Sequence, residues 1–293
     1  MSDRYLDPTN DVAFKKIFSD KERLMDFLNA VLRLEEGCKI SELAFIPQEE
    51  LPSFSIGRRS LFDIKCIDQD GKSYIVEMQN KSQDHFLNRV QCYASHAYVS
   101  QAIKGATHAG LMPVILLIMT KHKLFDDGID CISYHTTLES KTKQQYLFAL
   151  SYVFIELPKF KKSAAELNSE EDDWLYFFTK WSHDKAPPPT ITDQLVLEAY
   201  KTVEQFNWTE AEYDAYFRAR LASEAEDLEI AKNFEEGLVI GREEGREEGR
   251  EEAREEGERL QAIKTARIMK AKGMPTVVIA ECTGLKADDL EKL

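Results

Sequence analysis

Asp63, Glu77 and Gln79 are the residues whose types and spacing carry the clearest chemical meaning. Thirteen residues separate Asp63 from Glu77, and the run Glu77-Met78-Gln79 closes the segment. Residues 73–79 (SYIVEMQ) read as a strand, on which Glu77 and Gln79 share one face while Val76 and Met78 point the other way. The stretch before it, Asp68-Gln69-Asp70-Gly71-Lys72, fits a three-residue hairpin loop in which Gly71 supplies the left-handed position. That loop pairs Asp68 with Lys72, and the same register pairs Asp63 with Glu77, so both carboxylates project from one face of the sheet. Like charges placed this way oppose strand pairing unless something positive sits between them. A hard divalent cation bound through oxygen would supply that charge. The plainer reading of the same residues is a surface hairpin with two solvated carboxylates.

The elements that must position this hairpin follow from the apolar pattern. Asn10 caps a turn carrying Phe14, Ile17 and Phe18, and Ser19-Asp20-Lys21-Glu22 fits a capping box before Leu24, Met25, Phe27, Leu28, Val31 and Leu32 at helical spacing, with Gly37 as the stop. Extended segments are expected over residues 39–45, 59–67 and 73–79, a helix over residues 88–106, and a strand buried on both faces over residues 114–120. Residues 131–136 and 151–157 are further strands, and helices follow from Glu170, broken at Pro187-Pro188-Pro189. The order is that of a layered α/β domain: residues 1–160 form the core and residues 161–236 a helical region.

Asp63…Glu77-x-Gln79, set after a helix and before a helix and a buried strand, resembles the PD-(D/E)XK nuclease superfamily. More narrowly, the chain resembles the Rpn-type recombination-promoting nucleases, also described as PD-(D/E)XK nuclease family transposases. The features that carry the resemblance are the opening Asn10-Asp11-Val12-Ala13-Phe14-Lys15-Lys16-Ile17-Phe18, the paired Phe62-Asp63-Ile64 and Ile75-Val76-Glu77-Met78-Gln79, the helix with Phe86, Arg89, Tyr93 and Tyr98, and the acidic Gly-rich tail ending Thr283-Gly284-Leu285. They span almost the whole chain. The resemblance implies a restriction-endonuclease-like core, a mixed sheet flanked by helices, followed by a helical C-terminal region. It implies a metal-dependent DNA endonuclease associated with recombination or transposition, with Asp63, Glu77 and the Met78 backbone carbonyl holding Mg²⁺ (or Mn²⁺) and Gln79 orienting the nucleophile. Asp11 is an additional acid from the first helix, or serves only at that helix's N-terminus. Lys15, Lys16, Arg58, Arg59 and Arg89 are candidate phosphate contacts. The chain departs from the superfamily pattern where Phe62 replaces proline and Gln79 replaces lysine; E-x-Q is common in the narrower family. The loss of the lysine charge supports the rival reading, a catalytically impaired DNA- or protein-binding module on a nuclease fold.

Charge is unevenly spread over the 293 residues. Residues 1–150 hold 18 basic against 20 acidic side chains, and residues 151–293 hold 20 against 32, so the net −14 sits mainly in the second half. A nucleic-acid-facing surface in the first half is compatible with this balance. The five cysteines form no C-x-x-C pair, the six histidines no H-E-x-x-H, and neither a G-x-x-x-x-G-K-[ST] loop nor a G-x-S-x-G elbow occurs, which argues against zinc, ATP-driven and serine-hydrolase chemistry. Tyr93 and Tyr98, beside Val90, Ala94 and Ala97, read as packing residues rather than nucleophiles. No apolar run reaches the roughly 20 residues of a membrane span, and no apolar signal region opens the sequence, so a cytoplasmic location is expected. Residues 237–259 contain a Gly-Arg-Glu-Glu repeat, read as a solvated, partly helical spacer whose glycine stripe would alternatively let helices pair in a homo-oligomer. Residues 260–293 form a small helical tail with a turn at Gly273-Met274-Pro275, compatible with a clasp or a helix-turn-helix.

Overall fold

The computed structural model describes residues 4–34, 37–46, 63–80, 85–103, 110–182, 186–286 and 289. Two short helices open the chain, α1 (Asp11–Ile17) and α2 (Lys21–Val31). Asn10 caps α1 by accepting the Val12 N–H at 3.0 Å, as its side-chain chemistry predicts. The capping box expected at Ser19 does not start α2. Asp20 does, because its carboxylate accepts the N–H groups of both Glu22 and Arg23 at 3.0 Å, while Ser19 Oγ donates to the Lys16 carbonyl. The helix also ends well before Gly37. Tyr134 donates its hydroxyl to the Val31 carbonyl at 2.6 Å, and Arg33, at a φ of 37°, stacks its guanidinium over the Tyr134 ring.

The sheet comprises β1 (Leu43–Phe45), β2 (Ile64–Asp68), β3 (Ser73–Gln79), β4 (Val114–Thr120), β5 (Ile132–Thr137) and β6 (Leu147–Glu156), in the order β1-β2-β3-β4-β6-β5. β1, β2 and β3 pair antiparallel; β3, β4 and β6 run parallel; β5 closes the edge antiparallel to β6. Between β3 and β4 the chain crosses over through α3 (Phe86–Ile103). The continuous apolar run of β4 is buried on both faces, which is why it sits centrally among parallel neighbours.

Strict alternation along β3 and β4 feeds two cores. Tyr74, Val76, Met78, Leu117 and Met119 join the larger one with α1, α2, α4 (Glu170–Lys180) and α5 (Gln194–Thr202). There the rings of Phe18, Phe27 and Trp174 lock the helices together, with Phe18–Phe27 centroids 4.9 Å apart and Phe27–Trp174 5.5 Å. Ile75, Leu116 and Ile118 face the other way, onto Phe86, Val90, Ala94 and Ala97 of α3. The α3 face is the face that carries Glu77 and Gln79.

Two compact units divide the chain, Met1–Leu221 and Ala222–Leu293. α4 and α5 thus belong to the first unit and share its core. α6 (Glu210–Ala271) is one unbroken helix that contains the whole Gly-Arg-Glu-Glu repeat. Glu247–Arg250 and Glu251–Arg254 pairs at 3.8 Å support it. A Cβ at Gly241, Gly245, Gly249 or Gly257 would meet nothing within 4 Å, so the stripe faces open space in the single chain. In the second unit Ala266 of α6 and Ile279 of α7 (Thr276–Thr283) are buried against each other's surroundings, and Gly273 and Gly284 take positive φ at the turn and the cap. The residues that would make a third helix of a helix-turn-helix lie mostly outside the described ones.

The two readings of the α2 start separate experimentally. Asp20→Ala is expected to destabilise the protein by about 1 kcal/mol, the usual loss of a helix cap. Ser19→Ala is expected to stay within about 0.5 kcal/mol of the parent. Urea denaturation of both variants measures the difference, and equal losses would contradict the assignment.

Candidate active site

Turn chemistry fixes the β2–β3 register. Gly71 takes a φ of +83°, the Asp68 N–H donates to the Lys72 carbonyl at 3.1 Å, and Asp68 Oδ1 accepts the N–H groups of Asp70 and Lys72 at 2.9 Å. The ladder then runs Ile67↔Ser73, Cys66↔Tyr74, Lys65↔Ile75 and Ile64↔Val76. One further step sets Asp63 opposite Glu77, as the sequence predicts. Asp63 Oδ2 accepts the Met78 N–H at 2.8 Å, and the Asp63 backbone in turn supports the Glu77 carboxylate. Burial pushes both carboxyls above the ordinary acidic range. For Asp63, the Met78 hydrogen bond and Lys15 oppose that rise, and Asp11 adds to it. For Glu77, repulsion from Asp63 adds to burial, and Arg89 and Lys15 work against it. For this half-buried pair desolvation is the first penalty on the charged forms, and like charge adds to it.

Helices bring partial compensation. Lys15 Nζ lies 2.8 Å from Asp11 Oδ1 and 3.2 Å from Asp63 Oδ1, so this lysine is turned into the acidic cluster and Asp11 stands beside Asp63. Burial alone would lower the Lys15 pKa; the hydrogen bonds and charges of Asp11 and Asp63 leave it raised. Lys16 pairs with Glu212 at 2.5 Å and lies over the Trp208 ring. Gln79 is only 6% exposed, and its Oε1 accepts from Arg89 Nη2 at 3.1 Å. The Met78 side chain is in the larger core, so only its backbone reaches the site. Phe62, Arg58 and Arg59 lie outside the described residues.

Spacing did not reveal a recess near the C-terminal end of β3, whose apolar wall of Leu157, Phe160 and Phe178 belongs to the larger core. A cavity of about 260 Å³ is lined by Asp7, Thr9, Lys121, Lys161, Lys180 and Trp181, among others. It adjoins the end of β3 directly: the Lys121 N–H donates to the Gln79 carbonyl at 3.2 Å, and Asn80 Nδ2 donates to the Thr9 carbonyl at 2.9 Å. Fully buried Glu156 anchors the loop that follows β4, accepting the N–H groups of Leu124 and Phe125 and pairing with Lys159 at 2.7 Å. Lys121 pairs with Asp7 at 3.1 Å; Lys161 and Lys180 have no ion-pair partner among the described residues. Only Lys121 had a local signal, since it follows the last residue of the buried strand. Lys161 and Lys180 converge through tertiary packing.

The hairpin acids, the mixed sheet and the helices on both its faces are thus in place together. A family model described as PD-(D/E)XK nuclease family transposase matches residues 8–232. The chain belongs to this family. No curated protein and no solved structure matches it. The six-stranded sheet flanked by helices, with its helical C-terminal region, is consistent with the restriction-endonuclease-like fold of PD-(D/E)XK proteins, and membership supports a nuclease or transposase-like role; PD-(D/E)XK nucleases generally use divalent metal ions. Among the described residues no group of three or more His, Cys, Asp and Glu side chains stands ready to hold a metal. An ion here would rest on the opposed carboxylate pair, with backbone and water oxygens to complete it, a hard donor set that fits Mg²⁺ or Mn²⁺. No described helix is long and apolar enough to cross a membrane.

The raised carboxyls have a stability consequence. The folded, metal-free protein binds more protons than the unfolded chain at these sites, so their contribution is fully present below about pH 4 and is lost as pH rises through the raised folded-state values. Glu77→Gln keeps an acceptor for the Asp63 backbone and removes the repulsion. In EDTA it is expected to raise the Tm at about pH 8 and to change it little at about pH 4. Thermal melts across that range are the check, and a pH-independent effect would contradict the like-charge account.

Proposed function

We propose that this chain is a divalent-metal-dependent endonuclease that hydrolyses phosphodiester bonds in DNA in the course of recombination or transposition. The observation that carries the reading is the pair of half-buried carboxylates opposed across the β2–β3 ladder, with Asp63 tied to the Met78 N–H and met by Lys15. Asp63 and Glu77, with the Met78 carbonyl, would hold Mg²⁺ or Mn²⁺. A bound ion of this kind supplies a nucleophilic water at neutral pH and neutralises charge on the scissile phosphate. The protein's own groups do the rest. The Met78 N–H fixes the Asp63 carboxylate in orientation, and Lys15 and Asp11 set its charge balance from α1. Lys121, Lys161 and Lys180 line the recess that continues from the end of β3 and would carry phosphates flanking the cut, alongside Arg58 and Arg59.

The rival reading, an impaired binding module on the same fold, draws on Gln79 in the lysine position. Two measurements distinguish them. Asp63→Ala and Glu77→Ala are each expected to lower plasmid cleavage in Mg²⁺ or Mn²⁺ by at least about a hundredfold, with circular dichroism unchanged. A parent that leaves plasmid intact in both metals supports the binding module instead. In EDTA, Lys161→Ala with Lys180→Ala is expected to weaken DNA binding and to reduce the slope of log K against log salt by roughly 0.9 for each phosphate contact removed. An unchanged slope removes the recess from the DNA path.

A further inference from the structure

We infer that the positive charge missing from the E-x-Q motif is supplied by Arg89 of α3, and that Gln79 is the positioning residue that holds its guanidinium at the site. The inference rests on the nuclease reading and concerns which side chain faces the phosphate.

Gln79 stands on β3 two residues beyond Glu77, on the same face, and is almost completely buried. A side chain enclosed in this way has little freedom to follow a mobile water. Its Oε1 instead accepts from Arg89 Nη2 at 3.1 Å. Arg89 is held from its own helix as well. Phe86 lies one turn before it and Tyr93 one turn after, and the guanidinium sits 5.2 Å from the first ring centroid and 5.9 Å from the second. α3 is pinned over this sheet face by Phe86, Val90, Ala94 and Ala97 against Ile75, Leu116 and Ile118. Arg89 is therefore fixed by a strand residue on one side and by its own helix on the other, and its charge is felt by Glu77.

The amide is the right partner for such an arginine. A guanidinium has five N–H donors in a planar fork; Gln79 takes one of them, and the fork geometry suits an oxyanion. Lysine at position 79 would bring an ammonium near the guanidinium, in a buried setting where like charges repel strongly. Glutamine at the motif position is thus the complement of Arg89. In this chain the cation reaches the site from α3, where the superfamily pattern would place it on the strand.

A charge transplant tests the inference on the full chain, reading plasmid cleavage in Mg²⁺ together with Mn²⁺ affinity by calorimetry. Arg89→Gln is expected to lower kcat on the order of a hundredfold, with KM changed less than about threefold and Mn²⁺ affinity retained or improved. Gln79→Lys is expected to lower kcat comparably and to weaken Mn²⁺ binding on the order of tenfold, because two cations then crowd Glu77. The double variant Gln79→Lys with Arg89→Gln returns the charge to the strand, and is expected to regain Mn²⁺ affinity and to cut at least about tenfold faster than either single variant. Circular dichroism and thermal melts accompany each variant; if Gln79→Lys does not fold, Arg89→Gln and Arg89→Lys carry the test alone, with the lysine variant expected to recover part of the lost kcat. A Gln79→Lys protein that binds Mn²⁺ and cuts as well as the parent, or an Arg89→Gln protein with parental kcat, overturns the inference while leaving the nuclease reading in place. A parent that neither binds Mn²⁺ nor cuts overturns that reading and the inference with it.

Discussion

Two carboxylates forced to face one another across a β-ladder are the constraint around which this protein is arranged. Asp68 and Gly71 fix the turn, the turn fixes the register, and the register leaves Asp63 and Glu77 opposed. With β3 held by β4, a slip of β2 by one residue would send Asp63 to the face of Val76 and Met78, which belong to the larger core. The turn sets the register and core packing reinforces it, despite the local repulsion between the two acids. Compensation comes from helices on the two sides: Lys15 of α1 meets Asp63, and Arg89 of α3 lies by Glu77 and Gln79. Both carboxyls still sit above their ordinary range, chiefly through desolvation, with Lys15 and Arg89 working against the rise. A divalent cation would remove what remains.

This arrangement also explains how an acidic chain can present a surface to a polyanion. The excess negative charge belongs mainly to residues 151–293, and much of it to the long exposed helix α6. At the end of the sheet where β3 stops, Lys121, Lys161 and Lys180 gather around one recess. Local charge, rather than the net value, governs how phosphates approach. The buried Glu156–Lys159 pair keeps the loop carrying Lys121 in place at the same sheet end. Site and recess share that frame, because Gln79, Thr120 and Glu156 are in register across three neighbouring strands.

Most of the scaffold was legible in the residues. β3 and β4 fall where alternation and a continuous apolar run place them, and α3, β5 and β6 lie within a few residues of expectation. The Asp63–Glu77 register was legible because a three-residue turn and a period of two leave little choice. What the sequence did not show depends on contacts between distant segments. α2 ends early because Tyr134, about a hundred residues away, binds the Val31 carbonyl. The repeat, read as a partly helical spacer, is continuous helix, its Glu–Arg pairs and long flanking segments prevailing over the glycines. Arg89 and Gln79 were each singled out, but their pairing requires knowing which face of α3 meets which face of β3. The lysine recess had no spacing signature at all.

The central claim is that the hairpin acids lack a positive charge which a divalent cation supplies. It is tested most directly by titrating Mn²⁺ into the metal-free protein by calorimetry near neutral pH, in two buffers of different ionisation enthalpy. Because the pair holds protons that metal must displace, binding is expected to release protons into the buffer, and both the binding and the proton release are expected to vanish in Glu77→Gln. Mn²⁺ binding that persists unchanged in Glu77→Gln, or that proceeds without proton release in the parent, would contradict the account.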